Sequence, residues 1–141
     1  MGEVRTKVKL TNALDEALSR RGQLAADRVR TYDAQALVDT GAVRTVIPPH
    51  VVNQLGLAIR GKRVAEYADG RKDAVDLTEA VMIEIEGRDT VEEALVLGDE
   101  VLIGQTVLET LDLVVDCANG KLMPNPAHPD QPVTRIKRQN A

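Results

Sequence analysis

Leu37-Val38-Asp39-Thr40-Gly41-Ala42 is the stretch on which the reading of this chain turns. A carboxylate stands directly after an apolar run. Thr40 and Gly41 then turn the chain tightly, and glycine permits close backbone approach. An Asp-Thr-Gly triplet by itself is weak, since it arises by chance in roughly 3% of chains of this length. The residues alone leave open that Asp39 is a turn-forming carboxylate at a strand end. Apolar flanks make the triplet more specific, and so does a second landmark about 60 residues on. There Val101-Leu102-Ile103-Gly104, a short apolar run ending in glycine, leads into a helical turn over residues 105–111.

Working outward, residues 4–10 alternate apolar and polar, which predicts a strand with one wet face. Asn12 is placed to cap a short helix over residues 13–21, with Leu14 and Leu18 as its apolar stripe and Gly22 as its stop. Residues 29–38 and 43–47 read as strands. Pro49 opens a short helix that ends at Gly56. Residues 62–67 and 72–77 flank Ala68-Asp69-Gly70-Arg71, a hairpin signal. Residues 81–86 alternate strictly, Gly87 turns the chain, and residues 91–97 return. Residues 113–116 and 121–123 flank a second hairpin turn at Ala118-Asn119-Gly120. Four prolines from Pro124 onward predict an extended or mobile tail. About eight short strands with only small helices between them favour a closed β-barrel over a βαβ fold. Eighteen valines against fifteen leucines, with no Trp or Phe, agree with sheets.

Composition excludes several classes. The chain has 141 residues and a formal net charge of −4. Nucleic acid is a poor partner for that charge, and Tyr32 and Tyr67 are the only aromatics for stacking. Arg135, Lys137 and Arg138 read as a solvated tail. No apolar run is long enough to cross a membrane, and residues 1–10 lack a secretory core. The single cysteine, Cys117, points to a reducing, cytoplasmic setting and reads as a buried or half-buried structural thiol. His50 and His128 have no metal-ligand neighbours, and Ser19, the only serine, lies on a helix, so metal and Ser-His-Asp chemistry lack support. Glu84, Glu86, Asp99 and Glu100 read as solvated strand face and loop. No cofactor fingerprint occurs.

Over roughly residues 30–124 the sequence resembles the retropepsin-like, single-lobe aspartic proteases. Asp39-Thr40-Gly41-Ala42 matches their catalytic triplet and following small residue. Residues 62–77 fall at their flap hairpin, residues 102–108 match the stretch leading into their helix, and residues 113–123 resemble their terminal hairpin. The run through Asp116 to Pro124-Asn125-Pro126 is similar to small prokaryotic members. The tip of the hairpin is charged where viral members are glycine-rich and apolar. The resemblance implies a mainly β, closed retropepsin-like barrel with one or two short helices, preceded by an N-terminal strand and helix. It divides the chain into residues 1–29 packed on the core, a protease domain at 30–124, and a Pro-rich mobile tail at 125–141.

Peptide hydrolysis by carboxylates needs two of them. Set about 3 Å apart they cannot both ionise, so they share a proton and titrate as a pair. One chain holds one triplet, so the second Asp39 must come from a second copy across a two-fold axis. The resemblance then implies an endopeptidase homodimer acting on an extended peptide. Asp39, Thr40 and Gly41 are its catalytic residues: Asp39 activates water, Thr40 bonds across the axis, and the Gly41 N–H orients Asp39. Ala42, Tyr67, Ala68, Asp69, Gly70 and Arg71 are its substrate-binding residues. A dimeric peptide-binding module of the same fold without turnover is the alternative.

Overall fold

The alternation in residues 4–10 produces a strand with one buried face. In the computed structural model, which describes residues 3–137, β1 (Val4–Asn12) buries Thr6, Val8 and Leu10 and exposes Arg5, Lys7 and Lys9. It runs antiparallel to β2 (Thr31–Val38) and, through residues 9–12, antiparallel to β5 (Lys72–Ile85). The second pairing closes a ring. From β2 the order continues through β7 (Leu102–Ile103), β3 (Val46–Ile47) and β6 (Arg88–Val96) to β5 and back to β1. The result is a closed six-stranded mixed barrel, in which β2–β7 and β3–β6 are the parallel contacts. β4 (Ile59–Glu66) pairs only with β5 and projects as a hairpin. β8 (Leu113–Asp116) and β9 (Lys121–Pro124) form a separate hairpin whose tip is held by Asn119 on Asp116.

The barrel is filled by aliphatic side chains. Val8, Leu10, Ile47, Leu77, Ile83, Ile85 and Ile103 are fully buried. β-branched residues suit this pleated interior. α2 (Pro49–Leu55) starts on proline, stops at Gly56 in the left-handed region, and closes one end with Val51, Val52 and Leu55. α3 (Gln105–Leu111) buries Val107, Leu108 and Leu111.

Several expectations are corrected. The strand of residues 1–29 is a stave of the barrel itself, because β1 supplies the pairing that closes the ring. In α1 (Ala13–Arg20), capped by Asn12 as expected, Leu14 is 55% exposed and Asp15 is the buried residue. Asp15 accepts from Arg30 Nε and Nη2, at 2.8 and 3.0 Å, and from the Arg30 amide. Of the expected stripe Leu18 alone is half-buried, and the Asp15–Arg30 ion pair joins the helix to the start of β2. The expected strands 72–77 and 81–86 are one strand that ends at Ile85, since Leu77 to Ala80 form a bulge where Thr78 Oγ1 accepts from the Ala94 amide. Only residues 46–47 of the expected strand 43–47 pair as one. Cys117 is exposed. The tail is tied down through residue 133. Prolines deny it a ladder, but Asp112 collects its donors individually: Asn125 Nδ2 at 3.0 Å and the Val133 amide at 3.1 Å. Arg138 lies outside the described residues. No described helix is long and apolar enough to cross a membrane.

Candidate active site

Asp39 follows the last residue of β2, at the rim of the barrel. Its amide donates to the Ile103 carbonyl at 2.9 Å, so the parallel β2–β7 ladder sets its position. Its half-buried carboxylate accepts from the Gly41 N–H at 2.9 Å through Oδ1. The Ala42 amide returns to the Asp39 carbonyl at 3.1 Å, closing the loop. A Cβ on Gly41 would stand 3.2 Å from Asp39 Oδ1, a tight approach that would press the carboxylate by a few tenths of an ångström. Thr40 and Gly41 are exposed at the tip.

The loop is backed by the second landmark. Gly104 has Ala42 and Arg44 against it, at 2.7 and 2.9 Å from where a Cβ would sit. The first amides of α3 complete the contact: Gln105 donates to the Ala42 carbonyl and Thr106 to the Val43 carbonyl, at 2.8 and 2.9 Å. The α3 start thus takes the Val43 carbonyl, which a strand over residues 43–47 would have used in a ladder. Glu92 adds a clamp that sequence reading missed. Its carboxylate accepts from the Thr45 amide at 2.9 Å and from Thr106 Oγ1 at 2.8 Å. Nothing in the local sequence marked Glu92, because its partners lie 47 and 14 residues away.

Asp39, Thr40, Gly41 and Ala42 are thus brought together on one rigid loop. Tyr67, Ala68, Asp69, Gly70 and Arg71 form a second group, at the tip of the β4–β5 hairpin. Gly70, at φ +88°, makes the turn, and its amide donates to the Tyr67 carbonyl at 2.9 Å. Arg71 donates to Asp69 at 2.7 Å and lies over the Tyr67 ring at 5.1 Å. Desolvation first, then the Asp73 carboxylate, pushes the Tyr67 phenol above its usual range. Among the described residues no hydrogen bond or ion pair joins this tip to the Asp39 loop.

Thr40 lines one wall of an open cleft of about 930 Å³. Leu108, Leu113, Val114, Val115 and Val133 supply apolar wall to the same cleft. Asp112, in the left-handed region at the end of α3, borders it. Its carboxyl is held below the usual range, first by Asn125 and further by the Val133 amide and His128, against desolvation. Arg88, buried, donates to the Leu111, Asp112 and His128 carbonyls and braces this corner from beneath.

The sequence model described as "gag-polyprotein putative aspartyl protease" matches residues 28–110. No curated protein matches the chain. Among solved structures, the retroviral protease-like domain of Ddi1 from Leishmania major is 14% identical, covers 89% of this chain and 90% of its own, and superposes with a TM-score of 0.56. The EIAV protease complexed with the inhibitor HBY-793 is 20% identical, covers 76% and 86%, and has a TM-score of 0.51. Both likenesses concern the fold. With the family match spanning more than half of its length, the chain belongs to the retropepsin-like gag-polyprotein aspartyl protease family.

Proposed function

We propose that this chain is one half of a homodimeric aspartic endopeptidase, in which the two Asp39 carboxylates activate water between them. The observation that carries the reading is the Asp39 loop. Its carboxylate is oriented by a backbone N–H and its main chain is locked on both sides, at the open rim of a barrel, with one such loop per chain. A dyad needs two acids whose positions do not relax, because electrostatic preorganisation is what a protein contributes to such a step. One carboxylate takes a proton from water while its protonated partner polarises the scissile carbonyl. The mixed polar and aliphatic cleft with Thr40 in its wall is the surface on which a second copy would dock, bringing Thr40 to Thr40 and Asp39 to Asp39 across the axis. The β4–β5 hairpin, with Tyr67 to Arg71 at its tip, would lie over an extended peptide and exclude water. The working unit is residues 30–124 together with the β1 stave. A cytoplasmic setting rests on the lone, unpaired Cys117.

The test is cleavage of an unfolded protein and a mixed peptide pool from about pH 3.5, just below the ordinary carboxylate pKa, to about pH 7.5, with wild type beside Asp39→Asn. Cleavage by wild type alone supports the reading; equal cleavage by Asp39→Asn ends it. A second reading, a dimeric peptide-binding module, draws on the hairpin tip, whose charged groups are already paired with one another. A confirmed dimer that binds the pool and cuts nothing would select it.

A further inference from the structure

Arg44 stands five residues beyond Asp39, with its backbone pressed against Gly104. Its guanidinium reaches across to β6. Nη1 donates to the Glu93 carbonyl at 3.4 Å and lies 3.8 Å from Glu93 Oε1. The other carboxylate oxygen of Glu93 is taken by Arg60, at the root of the β4–β5 hairpin. One carboxylate therefore serves two guanidinium groups, and the trio carries one positive charge in excess. Arg44 is 39% exposed and Arg60 58%, so both keep donors facing water.

As a stabilising device this arrangement is poor, since exposed ion pairs contribute little. As a binding device it is well placed. It links the loop that carries Asp39 to the base of the hairpin, the two elements between which the proposed peptide lies. A guanidinium fork takes a carboxylate with two parallel hydrogen bonds, and among the described residues Glu93 is the one carboxylate paired with these two forks. Val43, 71% exposed beside Arg44, offers an apolar surface for the methylenes of an incoming side chain. Resting on the peptidase reading, we propose that Arg44 and Arg60 form a cationic subsite that selects an aspartate or glutamate of the substrate close to the bond to be cut. In a two-fold dimer the subsite occurs once on each side of the dyad, so an acidic residue is favoured on either side of that bond.

The probe is a pool of short randomised peptides. It is captured on the Asp39→Asn protein and, separately, digested by wild type, with mass spectrometry reading both. Asp and Glu should be enriched over Gln and Lys by about five- to tenfold, the range of one charge-assisted hydrogen bond in a partly wet site. The enrichment should shrink in about 0.5 M salt, where screening is short-ranged. It should vanish in the Arg44→Gln/Arg60→Gln double variant while capture of peptides lacking Asp and Glu persists. Arg60→Gln alone, at an exposed site, is the safeguard if the double variant melts early, and it should cut the enrichment at least twofold. Capture without acidic enrichment overturns the proposal, as does enrichment that survives the substitutions. Enriched capture with no digestion would sink the peptidase reading and leave the subsite standing; neither capture nor digestion overturns both.

Discussion

A Cβ on Gly104 would stand 2.7 Å from the Ala42 carbonyl oxygen, closer than real Cβ atoms come. At this point the start of α3 and the Asp39 loop therefore meet backbone to backbone. The neighbours are main chain, which cannot rotate away. Gly104→Ala should cost about 1–3 kcal/mol of stability through overpacking and reduce cleavage more than the stability loss alone explains. Thermal melts alongside turnover at a temperature where the variant is folded will check this. Wild-type turnover would show that the loop tolerates displacement.

Shared active sites obey mixing arithmetic. If each site needs two Asp39 carboxylates, one wild-type chain among about nine Asp39→Asn chains finds mostly inactive partners. After subunit exchange, activity per wild-type chain should fall to about one tenth. Unchanged activity per wild-type chain, at a protein concentration where light scattering reports dimers, would mean that one chain suffices.

Glu92 ties residues 45 and 106 to one carboxylate. Glu92→Ala strands the Thr45 amide in a buried setting, which costs about 1–3 kcal/mol. The Asp39 loop should loosen with it, so kcat should drop about tenfold, as misplaced reacting groups do, with KM nearly unchanged. Glu92→Gln keeps an acceptor for Thr45 and should recover most of both. A rise in KM at constant kcat would instead point to a substrate contact.

Asp112 anchors the tail through a carboxyl whose native pKa lies below its ordinary value. The sign follows directly. The anchoring is complete above the ordinary carboxylate pKa of about 3.9 and is lost as pH falls from there through the depressed native value. Proteolytic cutting after residue 124, or amide exchange over residues 125–133, should accelerate in that acid window. Asp112→Ala should show the same acceleration at neutral pH. Protection that stays constant from neutral pH down to about 3, below the carboxylate range, would remove Asp112 as the anchor.

Much of the local geometry of the candidate site was legible before any tertiary contact was known. The apolar run into Asp39, the glycine that supplies its orienting N–H, and the apolar-Gly104-helix landmark are all local patterns. The hairpin tip was legible for the same reason: Asp69-Gly70 requires a left-handed residue, and Gly70 adopts it at φ +88°. Gly56 stops α2 and Asn12 caps α1 as their residue types dictate. The misses share one character. Leu14 and Leu18 form a stripe by spacing, yet Asp15 is the buried residue, because Arg30 arrives from the far side of a loop to pair with it. Residues 78–80 interrupt the alternation as a strand break would, but β6 supplies Ala94 to satisfy Thr78 and the strand runs on as a bulge.

Local sequence determined which residues turn, which cap, which face inward and where the acid sits, because backbone sterics and alternation act over a few neighbours. Tertiary structure alone decided that β1 closes the barrel, that Glu92 clamps the loop, that Arg44 and Arg60 share Glu93, and that Asp112 gathers the tail. A period of two assigns a face to each side chain but names no partner strand. A polar side chain likewise declares a capacity for hydrogen bonds without saying which distant group the fold will deliver to it.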